Sequence, residues 1–257
     1  MRLTMLLVVL ALALAAPRGV RADEPTGSDA VTPSVSASVE AGAFVPVAFA
    51  PRVGDSAGTA SLASGYQSAG DGMVLRADAE ARVLRWLAVR GGVEVSTRPE
   101  RQRPFVGVRV QVLDQSEDGV DGSLGLAYQQ DGFRSAEGRL ELAASLSRRI
   151  DALGLYASLA YAQDEENDDR QADLQLAALH RFSRRFHAGA GARVRADLFS
   201  DDVKRQPGES DLELVAGPLA SVAVGAFAIF GQVGVSAVHV EHFDVGVHAL
   251  GGIGAAF

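Results

Sequence analysis

Apolar side chains alternate with small or polar ones along most of this chain, so the pattern has a period of two. From 243 to 257 the odd positions carry Phe, Val, Ala, Gly or Ile, and the even positions carry mostly Gly, Ala, His and Asp. Between 136 and 146 every charge is at an odd position and every large apolar residue at an even one. A helix would place Glu137, Leu140 and Glu141 on one face, whereas a strand separates charge from Leu. The period therefore predicts strands, although Ala, Leu, Glu and Arg favour helices.

The alternation predicts about twelve strands, with ten or fourteen as alternatives. The charge-free stretch 214–240 could also be a transmembrane helix. Pro218 and several glycines in that stretch favour a hairpin of two strands instead. The predicted strand ranges are 34–47, 72–83, 87–97, 104–113, 119–129, 135–146, 152–162, 170–182, 186–197, 210–222, 226–238 and 243–257.

The first 22 residues have the layout of a secretory signal peptide. Arg2 precedes an apolar run at 3–16, and Val20 and Ala22 are small residues suited to cleavage after Ala22. The run is too short to span a bilayer comfortably. We therefore expect a cleaved, exported chain, with a signal peptide at 1–22, a short periplasmic leader at 23–33 and one β-domain at 34–257.

Composition removes several classes of protein. The chain has no Cys, which excludes disulfides, thiolate metal sites and a cysteine nucleophile. Its formal net charge of −8 argues against a basic surface for nucleic acid, so we expect no nucleic-acid partner. An apolar fraction of 47% is too high for a disordered chain.

Strands in lipid must be paired on both edges, because lipid offers no hydrogen bonds, and a closed ring achieves this. The predicted linkers after even-numbered strands are short, and several after odd-numbered strands are longer, above all 48–71. That contrast is typical of outer-membrane barrels with short periplasmic turns. The predicted strand ends also carry aromatic residues, as interfacial girdles do. These are Trp86, Phe182, Phe186, Phe227 and Phe257 at one end, and Tyr128, Tyr161 and Phe243 at the other.

With these features the chain resembles bacterial outer-membrane β-barrel proteins of the porin-like kind. The resemblance rests on the signal peptide, the alternating segments and the terminal strand that ends in Phe257. It implies an all-β, up-and-down antiparallel transmembrane barrel in the outer membrane. It also implies that Phe257 is the signal read by the barrel-assembly machinery, and that lipid and lipopolysaccharide surround the barrel.

The inward positions of such a barrel are strongly ionic, with both signs interspersed. Either water fills a narrow pore that the charges filter, or Arg–carboxylate pairs bridge the lumen and mostly close it. Many small inward residues favour free space, so we expect a narrow passage. The residues that we expect to line it are Arg76, Glu80, Arg82, Arg90, Glu94, Arg109, Glu137, Arg139, Glu141, Arg193 and Arg195.

Other functional signals are weak. The acidic run 164–169 lacks the spacing of a calcium loop, and no histidines stand at a diagnostic metal-ligand spacing. Ser221 and Ser236 have no G-x-S-x-G context. We therefore expect no catalysis, no cofactor and no metal. The leading hypothesis is a porin-like channel for small solutes. The alternatives are a closed structural or recognition barrel that uses its surface loops and, third, an outer-membrane enzyme.

Overall fold

The computed structural model describes residues 57–69, 72–97, 100–133, 137–164, 170–198, 212–225, 227–239 and 242–256. These residues form twelve strands and a single-turn helix, α1 (Gln115–Asp118), between the fourth and fifth strands. The strands are β1 (Gly58–Gln67), β2 (Gly72–Leu84), β3 (Leu87–Thr97), β4 (Glu100–Leu113), β5 (Asp121–Gln130), β6 (Gly138–Ile150), β7 (Leu153–Asp164), β8 (Arg170–Arg181), β9 (Phe186–Asp197), β10 (Leu212–Val224), β11 (Phe227–His239) and β12 (Phe243–Ala256).

The strands form one closed ring in which each pairs antiparallel with its neighbours in sequence. Pairing of β1 with β12 closes the ring, from Thr59 opposite Ala256 to Gln67 opposite His248. The predicted up-and-down barrel is thereby confirmed with twelve strands, and neither ten nor fourteen describes this ring.

The period of two separates an apolar exterior from a polar interior. Residues that face each other across a pair share a side, as do Leu62 and Ile253, which are both exposed. One residue along each strand, Ala63 and Gly252 turn inward instead, and Ala63 is buried. Buried polar side chains therefore concentrate inside the ring while large apolar ones cover its outside, which is the arrangement of membrane barrels.

The first strand differs from the prediction. We expected a strand at 34–47 followed by a long loop at 48–71. The ring instead closes through β1, inside the predicted loop, while 34–47 lies outside the described residues. Only Leu62 and Tyr66 are large apolar residues in β1, and Gly, Ala and Ser fill most of the rest. The alternation there has little hydrophobic contrast, which explains the error.

The contrast in linker length is weaker than predicted. Residues 68–71 separate β1 from β2, and only 98–99 separate β3 from β4. Conversely, the linker of 114–120 after β4 contains α1, whose N-terminus is capped by the Asp114 side chain. Trp86 and Phe182 are exposed at one end of the barrel, and Phe243 is exposed at the other, as predicted.

The described part of the charge-free stretch lies in the β10–β11 hairpin, as the glycines and proline indicate. Gly225 makes its turn with a φ of 64°, which glycine adopts without strain. Pro218 lies on β10, and the pairing of β10 with β11 is interrupted from Gly217 to Pro218, because proline has no N–H to donate. No helix in the described part of the chain is long and apolar enough to cross a bilayer.

Candidate functional site

Nine of the eleven predicted lumen residues face the interior from within strands. Arg82 shares that face at the end of β2, where its side chain is exposed. Glu137 precedes β6 and is exposed, and its carbonyl oxygen accepts a hydrogen bond from the Asp131 N–H. Both therefore lie at the rims. The nine interior residues are Arg76, Glu80, Arg90, Glu94, Arg109, Arg139, Glu141, Arg193 and Arg195.

One ion-paired network covers the wall made by β2, β3 and β4. The register aligns Arg76 on β2, Glu94 on β3 and Arg103 on β4 in one inward row. The Arg76 Nη1 atom lies 3.7 Å from Glu94 Oε2, and its Nε lies 3.5 Å from Asp78 Oδ1. The Ser61 hydroxyl donates to the same Asp78 oxygen at 3.0 Å. Arg76 therefore lies between two carboxylates, and the sign of the charge alternates along the row from Arg76 through Glu94 to Arg103.

Arg109 makes an ion pair that crosses a whole strand. It extends from β4 over β3, and its Nη2 contacts Glu80 Oε1 on β2. Ala88, the β3 residue directly beside Arg109, is completely covered. A larger side chain at that position would stand in the path of the guanidinium. The pair therefore lies along the wall instead of projecting into the lumen.

Phe105 likewise lies over a small residue of β3, two inward rows along the strand from Arg109. It faces Gly92 across β3–β4, and its ring covers that glycine so closely that an added Cβ would lie 2.8 Å from Cε1. The guanidinium carbons of Arg76 and Arg90 lie 4.8 and 5.2 Å from the ring centroid. Both distances suit cation–π contacts. The aromatic ring thus holds two arginines of the lining in place.

A second network covers β8, β9 and β10. Asp173 Oδ2 accepts from Arg193 Nε at 2.8 Å and from Arg195 Nε at 3.3 Å. Arg195 also lies 3.7 Å from Glu213 on β10, and Gln175 donates to the other Asp173 oxygen. Arg193 is only 1% exposed, whereas Arg195 keeps a quarter of its side chain exposed. Arg195 is therefore the more accessible of these two arginines.

The side chain of Gln232 reaches across β10, as the side chain of Arg109 reaches across β3. Gln232 on β11 donates from Nε2 to the carbonyl oxygens of Gly191 on β9, at 3.2 Å, and of Gly217 on β10, at 3.5 Å. Gly217 and Gly234 lie so close to the neighbouring backbone that a Cβ on either would clash with a carbonyl oxygen. Glycines again make room for a long polar side chain that lies flat.

Between the β2–β4 network and the β8–β10 network, Arg139 on β6 joins side chains of β5 and β8. Its Nε donates to Gln129 Oε1 at 2.6 Å, and its Nη1 donates to Gln171 Oε1 at 3.3 Å. On the same side, the Ser145 and Ser158 hydroxyls are 3.0 Å apart. The lining of β5–β7 therefore combines amide and hydroxyl groups with its charges.

Charges of opposite sign face the interior from opposite sides of the ring. Glu94 on β3 and Arg195 on β9 both point inward, and their strands are six positions apart in the ring of twelve. The two ionic networks therefore face each other across the lumen.

Part of the interior is apolar. A buried cluster joins side chains from β1, β8, β10, β11 and β12, and Val74 and Tyr156 pack against it. The cluster includes side chains of β8 and β10, so apolar and ionic residues of the lining share these two strands. Its members are Ala63, Ala177, Leu179, Leu219, Phe230 and Leu250.

Three members of the lining were missed from the sequence. Arg103 is buried and lies 3.0 Å from Asp131, but the predicted fourth strand began at 104, one residue too late. Phe105 was left out because only charged residues were considered. The odd numbering that it shares with Arg109 was the signal that could have found it. Asp131 follows β5 in a linker, where no periodicity indicates a partner.

Several predictions fall outside the described residues or remain untested. Phe257 and most of the acidic run 164–169 are outside them. Within the described ranges no cluster of His and carboxylates could hold a metal ion. Ser236 and His248 lie on adjacent strands, two residues apart in register, and each is 1% exposed. A hydroxyl so deeply buried is out of reach of a substrate; the expected lack of catalysis stays a prediction.

Comparisons with known proteins resolve the fold and not the family. No protein-family model matches the chain, and no curated protein matches its sequence. Among solved structures, the KdgM porin has a TM-score of 0.54 at 10% identity, covering 77% of this chain and 99% of the porin. The NanC porin has a TM-score of 0.52 at 12% identity, with coverage of 77% and 98%. LpxR from Salmonella typhimurium has a TM-score of 0.52 at 10% identity, with coverage of 77% and 100%. This chain, a barrel of twelve strands, is therefore similar in fold to the KdgM and NanC porins.

Proposed function

We propose that this chain is an outer-membrane channel of the porin type, which passes small solutes through a narrow lumen lined by paired charges. The observation that carries the proposal is the pair of facing networks, Arg76–Glu94 on one wall and Asp173–Arg195 on the other. Fixed charges on both sides of a constriction filter solutes by their sign. The porins among the structural neighbours support this reading through the shared fold.

The way in which long side chains lie favours a passage over a filled core. Arg109, Phe105 and Gln232 each lie across a small residue of a neighbouring strand. Side chains in this orientation lie along the wall, as a passage requires. Arg195 and Asp78 remain about a quarter exposed, so water reaches charges of both signs.

Conductance across a planar bilayer tests the proposal. We expect discrete channel events from the folded full-length protein. We also expect the Arg195→Gln variant to shift the reversal potential in a salt gradient toward cation preference, because it removes an accessible positive charge. Arg85→Gln is the matched control, since Arg85 is exposed in the β2–β3 turn and not in the constriction. No channel events from well-folded protein, or equal shifts in both variants, would remove the proposal.

A closed recognition barrel is the second candidate. Arg193 and Arg109 are 1% and 3% exposed, and the apolar cluster around Leu219 and Phe230 fills part of the interior. If side chains close the lumen completely, the same bilayer experiment shows no events from a protein that migrates as a folded barrel.

A further inference from the structure

The turn between β8 and β9 carries exposed aromatic rings beside exposed arginines. We name as the aromatic–arginine patch the five residues His180, Phe182, Arg184, Arg185 and Phe186. The Phe182 and Phe186 ring centroids are 5.7 Å apart, and the His180 ring meets Phe182 edge-on at 4.8 Å. Phe182 is 64% exposed, which is unusual for an aromatic ring unless something other than water covers it.

The turn has a fixed geometry. The Phe182 and Ser183 N–H groups both donate to the Phe186 carbonyl oxygen, at 3.0 and 3.2 Å. The Ser183 hydroxyl oxygen accepts from the N–H groups of Arg185, at 3.2 Å, and Phe186, at 3.1 Å. Four hydrogen bonds therefore hold the two arginines between the two phenylalanines.

The patch continues the lipid-facing surface of the barrel. Phe186 pairs with Val222 and His180 pairs with Leu153, and both partners are exposed apolar residues of the outer face. Exposed aromatic residues at the end of a membrane barrel mark the level of the lipid headgroups. Arg184 and Arg185, in the same turn, lie at that level.

Both arginines of this turn are exposed. Within the described ranges, neither Arg184 nor Arg185 makes an ion pair with a carboxylate. Arg148, at the end of β6, adds a third exposed guanidinium on the same outer face, beside Leu155. Guanidinium groups at headgroup depth attract anionic lipid, and they bind phosphate in a bidentate manner.

We propose that the aromatic–arginine patch is a binding site for the phosphate of an anionic phospholipid in the leaflet at this end of the barrel. The phenylalanines contact the upper acyl chain while Arg184 and Arg185 bind the phosphate. The site lies on the outer face and is independent of any passage through the lumen.

Lipid competition on the folded full-length protein tests the site. Native mass spectrometry would compare phosphatidylglycerol with phosphatidylcholine of identical acyl chains, mixed in equal amounts. We expect the native protein to retain phosphatidylglycerol about ten-fold better, since each basic residue near a headgroup contributes several-fold. Arg184→Gln combined with Arg185→Gln is expected to abolish most of that preference, and Arg184→Gln alone to lower it to an intermediate value.

The matched control removes two arginines at the same end that face inward, Arg149→Gln with Arg181→Gln. It is expected to keep the preference, because these side chains point away from lipid. Equal retention of the two lipids by the native protein would overturn the proposal, as would an unchanged preference in the Arg184 variants. An equal loss of the phosphatidylglycerol preference in the control would also overturn the proposal, because it would show that the net charge of the protein causes the preference. The single variant keeps the test decisive if the double variant fails to fold.

Discussion

Arg109 on β4 contacts Glu80 on β2 across the intervening strand, directly above the covered methyl group of Ala88. The two charged residues are not paired in the backbone register, so their contact depends on what the strand between them carries. Small residues on β3 thus decide which charges of the lining meet.

Removal of the carboxylate in this contact is expected to destabilise the barrel. Glu80→Gln deprives a guanidinium that is 3% exposed of its charged partner. Loss of one partner of a buried ion pair costs about 3 kcal/mol of unfolding free energy. Urea unfolding in lipid vesicles measures this cost. The double variant Glu80→Gln with Arg109→Gln should recover part of the stability, and a double variant as unstable as the two single losses added together would contradict the coupling.

Gly92 is expected to tolerate no side chain. Gly92→Ala places a Cβ in a clash with the Ala77 carbonyl oxygen on β2 and 2.8 Å from two ring atoms of Phe105. The β2–β3 backbone and the ring, which contacts Arg76 and Arg90, must therefore both move. We expect a loss of about 2 kcal/mol in unfolding free energy, as for other overpacked sites. Gly125→Ala is the control, because its Cβ would meet the Ala143 Cβ at an ordinary 3.6 Å. Equal stability of the two variants in urea would show that the ring does not depend on the gap.

Loss of the Asp173 carboxylate is expected to weaken two ion pairs at once, because one of its oxygens accepts from both Arg193 and Arg195. Asp173→Asn should lower the unfolding free energy by about 2 kcal/mol, since hydrogen bonds to charged groups are worth more than neutral ones. The control is Asp151→Asn in the exposed β6–β7 turn, where φ is 53° and asparagine is tolerated. A wild-type unfolding midpoint in Asp173→Asn would refute the shared-acceptor role.

The seam between β1 and β12 can be tested with introduced cysteines, because the chain has none of its own. Ala60 faces Ala255 on the outer side. A cysteine at each of the two positions is expected to form a disulfide, since directly opposed strand residues lie within bridging distance. The control pairs Ala60→Cys with Ala249→Cys, six residues along β12 and about 20 Å away. Gel mobility with and without reductant shows the outcome. No cross-link in folded Ala60→Cys/Ala255→Cys protein would mean that another segment closes the ring.

Periodicity predicted eleven of the twelve strands to within a few residues, because lipid outside and charge inside impose a strong contrast. It failed at β1, where Gly, Ala and Ser on both faces give little contrast. For the lining, odd or even position was enough to place Glu94 and Arg195 inside the ring. Their partners could not be predicted, because pairing depends on register and on gaps such as Ala88 and Gly92. The contact of Arg103 with Asp131 was out of reach, since a linker has no period.

Arg109 and Gln232 lie flat against the wall, and this orientation determines how substitutions change the internal diameter of the barrel. Truncating these two side chains would mainly expose the backbone that they cover and would increase the internal diameter little. Enlarging Ala88, the short residue beside Arg109, would lift the guanidinium off the wall and narrow the lumen, whereas a side chain at Gly217 would first clash with the β11 backbone. The smallest side chains of the lining, over which the long ones lie, therefore set the internal diameter.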